Sequence, residues 1–268
     1  MKTILIIGGG AAGLAAAVSA SSGKRENRVI LLEKNEKPGK KIYISGKGRC
    51  NLTNDQDMSV HMKNVVSNPR FLYSAYAAFS KEDIKRLLEE NGCPVKTERG
   101  GRVFPVSDHA SDVTKALVKA AEKNGVEIRL NACVRELIVE DGVFRGVRTD
   151  DGILEADACI AATGGISYPS TGSTGDGYRF ARTLGMKVSA CYPSLVPMEC
   201  AETWPEDLSG LSLKNISVRF VDPSRPKKPL YEDFGELLFT HFGISGPVVL
   251  SASAYLTDKI GQGLEPEL

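Results

Sequence analysis

The stretch that most constrains this chain runs from Thr3 to Glu33. An apolar run, Ile4-Leu5-Ile6-Ile7, leads into Gly8-Gly9-Gly10; Ala11-Ala12-Gly13 then opens an Ala-rich segment, and Val29-Ile30-Leu31-Leu32 ends on Glu33. The order reads as strand, tight turn, helix and second strand. Each glycine has its own task. Gly8 lets the backbone turn sharply off the strand, Gly10 has no Cβ to keep a diphosphate from the main chain, and Gly13 lets the helix pack closely on the sheet.

The N–H groups at the start of that helix have no partners within it, and with the helix dipole behind them they face phosphate oxygens. Glu33 lies about 20 residues beyond the last glycine, where a carboxylate accepts hydrogen bonds from a ribose diol and disfavours a 2′-phosphate. The expected ligand is a dinucleotide whose adenosine half is FAD-like or NAD-like and not NADP-like. A glycine-rich turn in an ordinary core would leave the third consecutive glycine and Glu33 without a reason. Lys2, the apolar run and Val18-Ser19-Ala20 imitate a secretion signal, but the glycine triplet interrupts the apolar core such a signal needs.

With 268 residues the chain can bury a substantial core in one large domain or two. A net charge of +1 gives no whole-protein field toward nucleic acid or membrane, and no apolar run is long enough to span a bilayer. No nucleic-acid or membrane partner is expected from these numbers. Six scattered cysteines without a CxxC pair point to small buried hydrophobes in a reducing cytoplasm. The three histidines are too dispersed for a zinc site, so no metal is expected.

After Glu33 the chain turns basic and glycine-rich through Ser45-Gly46-Lys47-Gly48-Arg49-Cys50-Asn51. This is no NTPase phosphate loop, because Gly48 stands where Ser or Thr is required and no strand comes straight before it. Helical periodicity is expected over 69–92, with Ser80 and Asp83 as a capping box, followed by a hairpin around Arg99-Gly100-Gly101. A stronger helix runs from about Ser107 to Asn124. The period then changes to two, and 126–130, 132–140, 143–149 and 153–155 read as a small antiparallel meander. Residues 157–162 read as a strand returning to the first sheet and ending in Thr163-Gly164-Gly165, and 173–184 as a helix. Beyond Ala190 prolines crowd the sequence, with short β-like runs and no visible closing element.

The expected fold is α/β: a Rossmann-like parallel sheet with an antiparallel β-meander, then the start of a second, β-rich domain. The expected division is a first domain over 1–190, with an excursion at about 60–105 and the meander at about 130–156, and the start of an inserted substrate domain over 191–268.

The glycine triplet, the Gly46-to-Asn54 block, Ala162-Thr163-Gly164-Gly165 and the run from Gly235 to Pro247 resemble a family of bacterial FAD-dependent flavoproteins, the BaiN-like NAD(P)/FAD-dependent oxidoreductases. That family is longer and closes with a flavin-lining segment not found in this sequence, so the resemblance implies a shortened chain. It also implies roles residue by residue. Gly8, Gly10, Ala11, Ala12 and Gly13 would meet the pyrophosphate, and Glu33 the adenosine ribose. Lys34, Lys41, Gly48, Arg49, Cys50 and Asn51 would run along the dinucleotide toward the ring. Val134 would meet the adenine through its backbone, and Thr163 and Gly164 would cover the cofactor.

The chemistry then expected is flavin-mediated hydride transfer between NAD(P)H and a small organic substrate, such as an enone. Without a second GxGxxG, NAD(P)H is a transient co-substrate docking against the flavin. Cys50 has no partner cysteine beside it, which excludes a disulfide reductase and favours a cofactor contact or core filler. His241, Tyr168 and Arg102 are lesser candidates for proton donor or carbonyl-polarising cation. The alternative is a nucleotide-binding module without turnover of its own, or a flavoprotein of the tRNA-modification kind. Oligomeric state is not legible.

Overall fold

The computed structural model describes residues 1–23 and 27–268, which form two compact units, Met1–Val188 and Ser189–Leu268. In the first, β1 (Thr3–Ile7), α1 (Ala11–Ser21) and β2 (Arg28–Leu32) follow the order expected from the glycine triplet. β1 and β2 are four-fifths apolar, as strands covered on both faces must be.

Between β2 and the next strand of this sheet lies a long excursion. It holds α2 (Lys40–Ile44), β3 (Thr53–Asn54), α3 (Met58–Lys63), α4 (Tyr73–Ala78), α5 (Lys81–Glu90), β4 (Val95–Thr97), β5 (Arg102–Pro105) and α6 (Ala110–Lys123). Strands β3, β5 and β4 form a small antiparallel sheet of their own. The 69–92 segment is three helical pieces and not one. Pro69 opens a single 3-10 turn, and Phe79 is extended at φ −145°, so Ser80 can start α5 with its capping box.

The chain re-enters the main sheet at β6 (Glu127–Arg129), which pairs in parallel with β2, Ile30 opposite Glu127 and Leu32 opposite Arg129. This corrects the assignment of 126–130 to the meander. Helix α6 delivers β6 as the return arm of a crossover, a long-range constraint that a period-two pattern does not carry. The meander has three strands, β7 (Val134–Glu140), β8 (Val143–Thr149) and β9 (Gly152–Glu155), and β10 (Ala158–Ala161) then pairs with β1. The main sheet is therefore ordered β10-β1-β2-β6, all parallel.

Alternate residues of each strand go to opposite faces. Ile6, Val29 and Leu31 pack with Leu14 and Ala17 of α1 and with Val113, Leu117 and Ala121 of α6. Leu5, Ile7, Ile30 and Leu32 pack on the other face with Val134 and Val147 of the meander and with Phe180 of α7 (Asp176–Thr183). The fold is α/β with a Rossmann-like sheet held between helices and an antiparallel meander.

The second unit contains β11 (Met198–Glu199), α8 (Trp204–Asp207), β12 (Ser212–Val221), β13 (Pro229–Thr240), β14 (Gly243–Ser245) and α9 (Pro247–Ile260). Its antiparallel sheet is ordered β11-β14-β13-β12. Val218, Phe220, Leu237 and Phe239 from the sheet meet Val248, Val249, Ala252 and Leu256 from α9. The sequence reading assigns no element to 247–260, where α9 forms. Pro247 occupies its first turn, where the missing N–H costs nothing, and Ala and Ser between the apolar residues weaken its periodic signal.

Candidate functional site

The carboxyl ends of β1, β2 and β10 open onto a cleft of about 650 Å³ within the first unit. Its floor begins where β1 stops. Gly8 takes φ +106° and donates its N–H to the Leu32 carbonyl at 2.8 Å, and a Cβ on it would lie 2.5 Å from the Ala162 carbonyl oxygen. Only glycine meets both demands. Gly10 then caps α1, its carbonyl accepting from Leu14 N–H at 2.9 Å. Among the described residues, the N–H groups of Gly10, Ala11 and Ala12 have no acceptor, and all three residues line the cleft. A Cβ on Gly10 would meet nothing within 4 Å, so the space beside this row of donors is open. Those are the requirements of an anion cradle at a helix start.

Glu33 lines the same cleft while only 6% exposed. Its Oε2 accepts from Gly9 N–H at 2.7 Å, and its Oε1 from Asn35 N–H at 2.8 Å and Asn35 Nδ2 at 2.6 Å. A carboxylate has about four acceptor positions, so three are engaged and one remains for a ligand hydroxyl. Beyond the role read from the sequence, this side chain fixes the middle glycine of the triplet.

Two lysines tie the loop after β10 to the segment after β2. Lys34 Nζ donates to Thr174 Oγ1 at 2.7 Å and pairs with Asp176 at 2.8 Å; Lys41 Nζ donates to the Ser167 carbonyl at 2.8 Å and to Ser173 Oγ at 2.7 Å. Asn35 Nδ2 adds a bond to the Thr171 carbonyl at 3.2 Å. Burial pushes the Asp176 carboxyl up, but hydrogen bonds from Lys34 and Arg179 outweigh it and hold the group below the usual carboxylate range. The sequence pattern points to Lys34 and Lys41 but not to Asn35, Ser173 and Asp176, which also line the cleft. The signal that could have found Ser173 and Asp176 is the small polar run Ser170 to Asp176, which follows β10 and Gly164-Gly165. Replacing Lys34 by Met is expected to lower amide-exchange protection of 167–176 about ten-fold, about 1.4 kcal/mol of local stability. Unchanged protection in an exchange experiment would show that the clamp does not hold the loop.

Cys50, Asn51, Val134, Thr163 and Gly164 also line the cleft. Burial pushes the Cys50 thiol up, against a hydrogen bond with Ser45, so it is a thiol and not a nucleophilic thiolate near neutral pH. Thr163 Oγ1 accepts from Gly177 N–H at 3.0 Å and joins the end of β10 to α7. Ile42, Leu52, Ile84, Val113 and Leu117 make another part of the wall apolar.

Three of the expected contacts lie off the cleft. Gly13 is buried against the Gly8 carbonyl and serves packing. Gly48 is in the turn behind α2, and the Arg49 guanidinium is turned to Glu98 and to Asp108 at 2.6 Å, stacked 4.1 Å over the Phe104 ring. Two carboxylates and an aromatic face outcompete a more distant phosphate site for that side chain. Of the lesser candidates, Arg102 and Tyr168 do not line the cleft either. Arg102 is exposed on β5 and donates to the Arg99 carbonyl at 3.3 Å; Tyr168 is exposed at φ +52°; His241 belongs to the second unit and packs edge-on to Phe242, 4.9 Å between centroids. Among the described residues, no group of three or more His, Cys, Asp or Glu is placed to hold a metal ion, and no helix is long and apolar enough to cross a membrane.

The family model described as HI0933-like protein Rossmann domain matches residues 2–246. The chain belongs to this family. It is 34% identical over 252 residues to the ribosomal RNA dihydrouridine synthase of Escherichia coli K12, covering 94% of this chain and 60% of that protein. It is 32% identical over 266 residues to the 3-dehydro-bile acid delta(4,6)-reductase of Clostridium scindens, covering 99% of this chain and 63% of that protein. The chain thus spans about three fifths of the length of these curated relatives. Among solved structures, the open conformation of a flavocytochrome c3 fumarate reductase superposes with a TM-score of 0.54 at 19% identity, over 80% of this chain and 47% of that one. At that identity the likeness is one of fold.

Proposed function

We propose that the cleft holds FAD and that the chain is the cofactor-binding part of a flavin-dependent oxidoreductase. The observation that carries this is the row of unpartnered N–H groups at Gly10, Ala11 and Ala12, beside open space and one free acceptor position on Glu33. A diphosphate fits the donors, and a ribose diol fits the acid. Bound FAD would supply hydride transfer at its flavin ring.

The chain's own residues bind and orient. The helix start and its dipole hold the diphosphate, Val134 offers its backbone to the adenine, and Lys34, Lys41, Cys50 and Asn51 line the path toward the ring. Thr163, Gly164 and the clamped loop after β10 exclude water from that path. NAD(P)H serves as a transient donor, and the second unit, from about residue 191, belongs to the substrate side.

The substrate that fits best carries a carbon–carbon double bond conjugated to a carbonyl. The names of both relatives imply saturation of such a bond, in a steroid-like acid in one and in a uracil ring in the other. The whole protein's substrate is accordingly a small enone or a base within RNA.

Purified protein reconstituted with FAD is expected to retain it on desalting, with a flavin band at about 450 nm that NADH or NADPH bleaches anaerobically. Gly10→Ala, which puts a methyl into the open space at the donors, is expected to weaken FAD about ten-fold with the circular dichroism unchanged. A parent protein that releases all its FAD, or a Gly10→Ala variant that binds as tightly as the parent, would overturn the reading.

A further inference from the structure

The excursion between β2 and β6 carries a surface that the cofactor cleft does not use. From Met58 to Phe79 there is no Asp or Glu, while Lys63 and Arg70 are both exposed. Aromatic rings stand out beside them: Phe71 is 83% exposed, and Tyr73 and Phe79 are about half exposed. Arg99 and Arg102, also exposed, stand at the tip of the hairpin between β4 and β5.

Named contacts make these pieces neighbours. Asn54 Nδ2 donates to the Gly100 carbonyl at 2.9 Å, the Asn54 carbonyl meets His61 Nε2 at 2.9 Å, and the His61 ring packs edge-on to Tyr76 at 5.8 Å. Among the described residues, none of Lys63, Arg70, Arg99 and Arg102 takes part in an ion pair, whereas Arg49, Lys81, Lys85 and Lys96 of the same excursion all do. Asp57, exposed ahead of α3, is the nearest acid in sequence to Lys63, and Glu98, which directly precedes Arg99, is engaged by Arg49.

Cations left without carboxylates attract phosphates, and exposed rings between them offer faces on which bases of any sequence stack. Helices α3 and α4 have six residues each, too short for an amphipathic helix lying in a lipid interface. We propose that this surface, formed by Phe71, Tyr73 and Phe79 with Lys63, Arg70 and Arg99, binds single-stranded RNA. Unpaired RNA is the form whose bases stack on side chains and whose target base is free to leave the stack for chemistry. The proposal rests on the reading that the reduced double bond is one a uracil ring supplies, and two relatives whose names specify ribosomal RNA accord with it.

The test is fluorescence anisotropy of the full chain with an end-labelled oligouridine, titrated at several salt concentrations. Affinity is expected to fall linearly on a log–log plot against salt. Arg70→Glu and Arg99→Glu together are expected to weaken binding at least ten-fold and to flatten the slope by about 0.7 for each phosphate no longer neutralised. Phe71→Ala is expected to weaken binding about ten-fold with the slope unchanged. All three side chains are exposed, so circular dichroism is expected to stay that of the parent. Binding that these variants leave intact, or that anionic lipid vesicles compete for as well as RNA does, would overturn the proposal. The assay needs no flavin, so loss of FAD with RNA binding intact counts against the cofactor reading alone, and the converse against the RNA surface alone.

Discussion

Gly13→Ala is expected to cost about 3 kcal/mol or more of unfolding free energy and to leave FAD binding undetectable. A methyl on Gly13 would be driven into the Gly8 carbonyl oxygen, far inside van der Waals contact, and the obstacle is backbone that cannot rotate away. Gly8 itself is pinned, its N–H on Leu32 and the backbone of Ala162 against it. Relief requires α1 to lift off the sheet, which opens the packing of Leu14 and Ala17 against Ile6 and Val29 and moves the donor row at Gly10 to Ala12. Urea unfolding monitored by circular dichroism, with and without FAD, reads both effects. A variant within about 1 kcal/mol of the parent would mean that the helix start is not as rigid as this geometry requires.

Glu33→Ala ranks second, with an expected loss of about 3 kcal/mol in the absence of cofactor and at least a hundred-fold in FAD affinity. The carboxylate is buried and accepts from Gly9 N–H, Asn35 N–H and Asn35 Nδ2. Removing it strands buried donors at about 1–3 kcal/mol each, of which water entering from the cleft recovers a part. It also frees Asn35, whose side chain reaches Thr171 in the loop after β10. Glu33→Gln keeps one acceptor oxygen and is expected to lose about half as much stability. If Glu33→Ala lowers FAD affinity without touching the stability of the cofactor-free protein, the residue is a ligand contact only, and its anchoring of the glycine triplet is wrong.

The first thirty residues were legible because their chemistry is local. A strand, three glycines with distinct duties and an acid at the end of the next strand depend on short-range backbone geometry, which residue type controls directly. The same holds for Ser80 with Asp83, whose capping box forms as expected, and for the turn glycines of the meander. Cleft residues tied to a motif were also found, including Lys34, Lys41, Cys50, Asn51 and Thr163. The partners that Arg49 takes, Glu98 and Asp108, come 49 and 59 residues later and leave no local signal. Lys34 and Lys41 have partners more than 120 residues away, which is why the loop they hold was missed.

What the sequence determined by itself was the βαβ unit, the open helix start that suits a diphosphate, and the presence of a meander and a returning strand, all of them set by backbone preferences within a few residues. Tertiary structure alone decided that 127–129 joins the parallel sheet, that Pro247–Ile260 is a helix, that Arg49 faces away from the cleft and that two lysines clamp the loop after β10. Each of those outcomes is a competition among partners distant in the chain, settled by which group lies nearest once the layers have packed, and no local pattern records the winner.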